Sequence, residues 1–170
     1  VSWVWPKVRG VRAQEREAKA FKDRKESAYV TTEAQYRHWD ANLPMGREPH
    51  LLMLDLRSGK ITDLFEGKGV SLPWVEPGTS HFDISPDGRR IAFVQDPAPR
   101  KRADNAYAIA ELEVTSRRIV PLTSDTAWSY EAPCYSPDGA RLACIATNIG
   151  RRHTMPGRVA YLKRGAAPRR

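Results

Sequence analysis

The sequence has no long apolar run. Nothing in it approaches the roughly 18 to 20 consecutive apolar residues that cross a bilayer, and the opening Val1-Ser2-Trp3-Val4-Trp5-Pro6 is too short for the core of a signal peptide. We therefore expect a cytoplasmic protein with no membrane partner. The hydrophobic share of 41% and the charged share of 28% are ordinary for a folded domain, so the composition argues against wholesale disorder.

Cysteine is scarce as well. Cys134 and Cys144 are the only two in 170 residues, too few for a disulfide framework. They flank the stretch 136–139, and in a hairpin closed there they would be diagonal neighbours about 7 to 8 Å apart, too far for an unstrained bridge. We expect both to be reduced, buried packing residues.

Acidic residues are missing from the last twenty positions. Residues 151–170 carry seven of the 28 Lys and Arg residues, which leaves 21 basic against 20 acidic residues in the first 150. The net charge of +8 therefore belongs to a basic end, with a tail at 165–170, and the body is close to neutral. Basic segments can bind phosphate backbones, but no aromatic interleaving or finger spacing accompanies this one, so we expect no nucleic-acid partner.

A charge-rich start precedes many short β-type runs. Residues 12–26, inside an N-terminal segment 1–27, predict a solvated helix. From 28 to 164, short runs rich in β-branched and aromatic residues alternate with Pro, Gly, Asp and Ser, which is typical of an all-β domain. The predicted strands are 28–32, 51–56, 61–64, 81–85, 90–94, 106–114, 118–122, 133–136, 141–146 and 159–163.

Two segments of the sequence occur twice. Residues 81–93 recur as 132–144, at an offset of 51, and residues 54–64 recur as 112–122, at an offset of 58. The first pair carries Ser-Pro-Asp-Gly, in which Pro presets φ, Asp can bond the local backbone and Gly tolerates a left-handed conformation. The residues predicted to form these structural turns are Ser85, Pro86, Asp87, Gly88, Ser136, Pro137, Asp138 and Gly139.

The repeat predicts the fold class. Two hairpins in each stretch of roughly 50 residues give a four-stranded sheet, and such sheets repeated at this period are propeller blades. We therefore predict an all-β fold, a partial β-propeller of about two to three four-stranded blades preceded by a short charged helix. Propellers have about four to eight blades, and the chain begins at Val1, so we expect a fragment. Its open sheet edges would favour self-association.

The ordered motifs resemble the propeller of the bacterial prolyl oligopeptidase family of serine peptidases, which includes dipeptidyl and acylaminoacyl peptidases. The likeness spans about residues 12–164 and rests on Tyr36-Arg37-His38-Trp39-Asp40, on 51–56 and 63–67, on both Ser-Pro-Asp-Gly copies and on 128–133. It implies a propeller that admits short peptides to an α/β-hydrolase domain for proteolysis. That domain would lie outside this chain, where no serine has the Gly-x-Ser-x-Gly spacing of the nucleophile, so we expect no peptidase activity from the chain alone.

A second reading stays open, because Ser-Pro-Asp-Gly also occurs in periplasmic TolB-type propellers. In that reading the chain is a non-enzymatic module, and loops at one end of the blades hold a protein partner. Under either reading the sequence predicts no catalytic residue, no cofactor and no metal within the chain.

His81, Asp83 and Ser85 have the residue types of a catalytic triad. Alternate positions on a strand stand about 6.6 Å apart, beyond the hydrogen-bond reach of about 3 Å that activates a nucleophile. We therefore interpret the three as strand and turn residues. The stretch also begins like a calcium loop, yet Val94 stands where the bidentate Glu is needed.

The remaining candidates are weaker. Gly67-Lys68-Gly69 lacks the Ser or Thr that follows Lys in a phosphate loop, and the histidines show no metal-ligand spacing (His38, His50, His81 and His153). We interpret Arg100-Lys101-Arg102 as a solvated charge run, with contact to an acidic partner or to the hydrolase domain as the alternative. Trp39, Trp74 and Trp128 are predicted to pack in the core or between blades, with the lining of a peptide entrance as the alternative.

Overall fold

The structure, a computed structural model, describes residues 1–101, 106–151 and 153–163. These residues form one α-helix, two short 3-10 helices (Thr79–His81 and Ile149–Arg151) and small antiparallel sheets, so the protein is mostly β. Its contacts divide it into a first unit, Val1–Val75 with Ala98–Ala103, and a second unit, Glu76–Pro97 with Asp104–Arg170. No helix in the described ranges is long and apolar enough to cross a membrane.

The elements follow one another along the chain in a fixed order. They are β1 (Ser2–Val4), α1 (Val11–Lys22), β2 (Arg37–His38), β3 (Ala41–Asn42), β4 (Glu48–His50), β5 (Leu52–Leu54), β6 (Ile61–Asp63), β7 (Phe82–Ile84), β8 (Arg90–Gln95), β9 (Ala108–Glu113), β10 (Ile119–Pro121), β11 (Trp128–Tyr135), β12 (Arg141–Asn148) and β13 (Arg158–Lys163).

The first unit contains α1 and three two-stranded sheets, β1–β4, β2–β3 and β5–β6. The predicted helix is present, but it ends at Lys22, where the next N–H, that of Asp23, still donates to Lys19 O. Phe21 lies near its end, with its ring edge-on to Trp5 at 5.5 Å and the Arg47 guanidinium 4.4 Å from its centroid. Aromatic and cation–π contacts thus hold the helix in this unit.

The strand predicted at 28–32 is wrong, because these residues form no strand. Val30 is 93% exposed, so this short β-type run has no sheet on which to bury its side chains. Conversely, β1 and the hairpin β2–β3 were not predicted from the sequence. Both are two or three residues long, which is too short for a period of two to be recognised.

The hairpin β5–β6 lies where the repeat predicted it, with Leu54 opposite Ile61. Its turn is closed by the Asp55 N–H, which donates to Lys60 O, and by the Gly59 N–H, which donates to Asp55 O. It nevertheless stays two-stranded, so the prediction of four strands in every blade is wrong here. In the described chain no Ser-Pro-Asp-Gly hairpin precedes it, and such a hairpin supplies the first two strands of the complete sheet below.

The second unit contains a four-stranded sheet of consecutive strands, in the order β7-β8-β9-β10, and a three-stranded sheet in the order β11-β12-β13. The repeat is visible in their pairing: Ile91 pairs with Leu112, and Leu142, its equivalent at an offset of 51, pairs with Leu162. Side chains of both sheets form one core, which contains Ala92, Val94, Tyr107, Ile109, Tyr130, Leu142, Cys144, Ala146, Ala160 and Leu162.

Both cysteines are free thiols, but only Cys144 is buried, so the prediction that Cys134 is buried is wrong. The pairing explains the difference. Cys134 lies opposite Ala143, so Cys144 is one position further along its strand and points to the other face of the sheet. Burial raises the pKa of the Cys144 thiol to about 11.

Candidate functional site

The Ser-Pro-Asp-Gly residues form two hairpin turns with the same hydrogen bonds. In the first turn the Ser85 hydroxyl donates to Asp87 Oδ1 at 2.6 Å and accepts the Arg90 N–H at 2.9 Å. The Gly88 N–H closes the turn by donating to Ser85 O at 2.8 Å, and φ at Gly88 is 69°, which favours glycine. The first motif thus ties β7 to β8 through its own side chains.

The second turn repeats these contacts. The Ser136 hydroxyl donates to Asp138 Oδ1 at 2.6 Å and accepts the Arg141 N–H at 2.9 Å, and φ at Gly139 is 68°. Hydrogen bonds from the serine hydroxyl, and next from the backbone N–H two residues after the aspartate, lower the pKa of Asp87 and that of Asp138. The eight motif residues therefore close two equivalent turns.

The triad-like residues of β7 and its flanks turn to separate partners. Asp83 Oδ2 accepts the Tyr135 N–H at 2.7 Å, while the Ser85 hydroxyl stays in its own turn. His81 Nδ1 accepts the Gly78 N–H at 3.2 Å, and burial lowers the pKa of this histidine. Asp83 thus joins the two sheets of the second unit, with no bond to His81 or Ser85 among the described contacts.

Tyr135 makes the second polar link between these sheets. Its hydroxyl donates to Glu111 Oε2 at 2.9 Å, and the Arg90 guanidinium lies 5.6 Å from its ring centroid and 3.8 Å from the same carboxylate oxygen. Glu111 is buried, so its carboxylate would destabilise the contact between the two sheets without the Tyr135 hydroxyl and the Arg90 guanidinium beside it.

The three tryptophans have different surroundings. Trp74 is 1% exposed and belongs to a core, and Trp128 packs against the core of the second unit, as predicted. Trp39 does not follow that prediction, since 83% of it is exposed. Only this one of the three is available to a partner.

Trp39 lies at the tip of the hairpin β2–β3. Its φ of 50° is left-handed, a conformation that costs a residue other than glycine about 1 to 2 kcal/mol. The Arg37 side chain holds this turn, with Nε donating to Trp39 O at 2.6 Å, and the His38 ring meets the indole edge-on at 6.3 Å. Tyr36, just before β2, is 55% exposed. We call Tyr36, Arg37, His38 and Trp39 the aromatic tip.

The base of this hairpin is fixed in the first unit. The Leu43 N–H donates to Tyr36 O at 2.6 Å, and Leu43 itself is buried. In the segment before the hairpin, the Ala34 N–H donates to Arg100 O at 3.1 Å. The aromatic tip thus stands on backbone that is held at both ends.

Arg100 does more than its predicted role as a solvated charge. Its guanidinium forms ion pairs with Glu33 and with Glu48, the latter at 2.6 Å, and lies 5.1 Å from the centroid of the Trp74 ring. Glu48 is partly buried, and desolvation raises its pKa, although His50 opposes this. Arg100 therefore positions the segment that leads into the aromatic tip.

His50 is buried beside this ion-pair network. Its Nδ1 lies 2.8 Å from Asp63 Oδ2, and its ring meets Phe65 edge-on at 5.7 Å. Its Nε2 is 4.0 Å from Glu48 Oε2, which is too long for a hydrogen bond. In the ranges that the structure describes, no three His, Cys, Asp or Glu side chains are placed to hold a metal ion.

The chain resembles known proteins in structure rather than in sequence. No protein-family profile and no curated protein matches it, so these comparisons do not identify the prolyl oligopeptidase family. It is similar to a solved structure from Agrobacterium tumefaciens that carries the provisional name TolB, with 21% identity, a TM-score of 0.48 and 71% of this chain covered. The chain covers 39% of that structure's length. A likeness of this size assigns neither a family nor a function.

Proposed function

We propose that the chain is a non-catalytic protein-binding module of propeller-type sheets, and that the aromatic tip contacts the partner. The observation that carries this proposal is Trp39, a large apolar side chain that is 83% exposed on a turn at a left-handed φ.

Neither property of Trp39 benefits the fold. An exposed indole buries little area, and glycine would adopt the left-handed conformation without the cost. Residues kept in such conformations cluster at sites where the strain serves a function. Trp, Tyr and Arg are also the residue types most enriched among those that dominate binding energy at protein interfaces. Trp39, Tyr36 and Arg37 bring all three types together.

The sheet pattern supports the propeller part of the proposal. Four consecutive antiparallel strands form one sheet, and the first three strands of the next sheet repeat its pairing at about 50 residues. Radially repeated four-stranded sheets with this connectivity are propeller blades. The aromatic tip, a hairpin outside these repeated strands, would then be the part of the module that is specific to its partner.

The peptidase hypothesis stays a prediction. Under it, the same module would lie on an α/β-hydrolase domain and admit short peptides. It would be tested by sequencing the gene beyond position 170. A downstream region with a Gly-x-Ser-x-Gly elbow would support it, whereas further Ser-Pro-Asp-Gly repeats followed by a stop would favour the binding module.

A displayed library of random 12-residue peptides tests the proposed function. The library is selected on the immobilised chain, and an enriched peptide is synthesised and titrated calorimetrically against the wild-type chain and Trp39→Ala. A residue that dominates binding costs about 2 kcal/mol or more on truncation, which is about 30-fold in Kd. We expect a weakening of at least that size.

Val30→Ala is the matched control, because Val30 is also exposed, apolar and outside any strand of the first unit. We expect it to bind the peptide as the wild-type chain does. Selection of no peptide, or of peptides that bind Trp39→Ala with unchanged Kd, would contradict the proposal.

A further inference from the structure

The three-stranded sheet of the second unit has two apolar faces. Leu142, Cys144 and Leu162 point into the core shared with the four-stranded sheet. The opposite face is exposed and also largely apolar. Val159 pairs with Ile145, and these side chains are 74% and 39% exposed. We call this second surface the outer face. Its apolar members are Cys134, Ala143, Ile145, Val159 and Tyr161, and it also carries the charged residues Glu131, opposite Ile145, and Arg141.

The repeat identifies what such a face does. At an offset of 51, Ala143 and Ile145 are equivalent to Ala92 and Val94, and their cross-strand partners Tyr161 and Val159 are equivalent to Glu111 and Ile109. Cys134 is likewise equivalent to Asp83.

In the four-stranded sheet, this equivalent face is an interface. Ala92, Val94 and Ile109 are fully buried in the core that they form with the three-stranded sheet. The two polar members, Asp83 and Glu111, both accept hydrogen bonds from Tyr135 of that sheet. The outer face is thus a second copy of a surface that already binds a sheet in this protein.

The surface that should receive the outer face can be found in the same way. Leu162 belongs to the surface of the three-stranded sheet that packs on the four-stranded sheet. In the four-stranded sheet Leu112 is the equivalent of Leu162, because it pairs with Ile91 as Leu162 pairs with Leu142. Leu112 is in turn equivalent to Leu54 of the first unit, at an offset of 58.

In the first unit this receiving surface is exposed. Leu112 is fully buried, whereas Leu54 is 54% exposed and its cross-strand partner Ile61 is 40% exposed. Leu56, in the turn that follows β5, is 92% exposed. We call Leu54, Leu56 and Ile61 the leucine face.

We propose that two copies of this chain associate head to tail, with the outer face of one copy packed on the leucine face of the next. This contact continues, between molecules, the sheet-to-sheet interface inside the second unit. Because the two surfaces differ, the association is heterologous, and each added copy leaves one face of each kind open for further growth. Each face contains only a few side chains, far below the about 800 Å² per partner of a stable complex, so the affinity is micromolar or weaker.

Sedimentation velocity of the full chain between about 5 and 500 μM, a range chosen for a weak interface, tests the proposal. We expect the average mass of the wild-type chain to rise with concentration beyond that of a dimer. Ile145→Lys blocks the outer face and Leu54→Lys blocks the leucine face, so each variant alone stays a monomer. An equimolar mixture of the two forms a dimer and nothing larger, since each variant keeps the face that the other has lost.

Val30→Lys is the control for added charge on an exposed apolar position, and it associates as the wild-type chain does. A cooperative thermal melt confirms that each variant is folded, and Val159→Lys replaces Ile145→Lys if that variant does not melt cooperatively. A mixture that stays monomeric overturns the proposal. So does self-association of Leu54→Lys alone, which would mean that outer faces pair with each other. These outcomes do not depend on Trp39 and leave the proposed function unaffected.

Discussion

The two Ser-Pro-Asp-Gly turns allow an internally controlled mutation, Ser85→Ala compared with Ser136→Ala. Each substitution removes the same contacts of the hydroxyl, which reaches an aspartate and a backbone carbonyl and accepts a backbone N–H. The turns differ in burial, because Ser85 is 2% exposed and Ser136 is only partly buried. The difference between the two variants in free energy of unfolding therefore measures how burial changes the cost of losing these hydrogen bonds.

The cost follows from the backbone N–H that loses its acceptor. An unsatisfied buried donor costs about 1 to 3 kcal/mol, whereas a lost hydrogen bond that water can replace costs about 0.5 to 1.5 kcal/mol. We therefore expect Ser85→Ala to lower the free energy of unfolding by about 2 kcal/mol and Ser136→Ala by about 1 kcal/mol. Urea denaturation of both variants at neutral pH measures the difference.

The same variant changes a pKa. The Ser85 hydroxyl is the largest cause of the lowered pKa of Asp87, so in Ser85→Ala this pKa moves back towards 3.8. A lowered folded-state pKa stabilises the protein above the unfolded-state value and loses that effect as the pH falls through the folded-state value. The acid-side loss of stability below pH 3.8 should therefore be smaller in Ser85→Ala, as followed by denaturation and by NMR titration of the carboxyl carbon. Equal costs for the two serines, or an unchanged pKa of Asp87, would refute this reasoning.

Three further results are expected. In denaturant unfolding, Gly139→Ala should lower the free energy of unfolding more than Gly88→Ala does. Both glycines have a positive φ, but only at Gly139 would a Cβ meet other atoms, with Arg90 Nη2 at 3.3 Å. Equal losses would show that φ alone decides the cost. Arg100→Ala should lower the free energy of unfolding by about 1 kcal/mol, a small value because the side chain is half exposed. It should also weaken binding of the selected peptide about tenfold, because the base of the hairpin becomes looser. If neither quantity changes, the positioning role of Arg100 is contradicted. In thiol titration with a disulfide reagent, Cys134 should react in the native state and Cys144, which is buried and has a pKa of about 11, only after unfolding; two native thiols would contradict this.

The hairpins could be predicted from the sequence because they are local. In each Ser-Pro-Asp-Gly turn the side-chain hydrogen bonds join residues within a stretch of six, so the local sequence determines the conformation of the turn. The grouping of hairpins into sheets could not be predicted in the same way. Whether β5–β6 gains further strands depends on what packs beside it, and the repeat does not state that.

An exposed Trp39 was only the alternative interpretation of the sequence, for a related reason. A tryptophan is buried on average, and its residue type alone therefore favours the core. The structure instead places Trp39 on a hairpin of two-residue strands, where no side chain two positions away is large and apolar. Arg37 and Ala41 stand two positions before and after Trp39, and the lack of a large apolar residue there was the one sign in the sequence that Trp39 is exposed.

The irregularity in β11 determines which of its side chains reach the core. Between Glu131 and Cys134 the register shifts by one, and Ala132 adopts a φ of 51° there, as in a β-bulge. Tyr130 and Pro133 can therefore both be buried although they are three positions apart. If the strand kept Ala132 but paired regularly, without the bulge, its first half would be reversed, so that the Glu131 carboxylate would enter the apolar interior and the Tyr130 ring would turn to water.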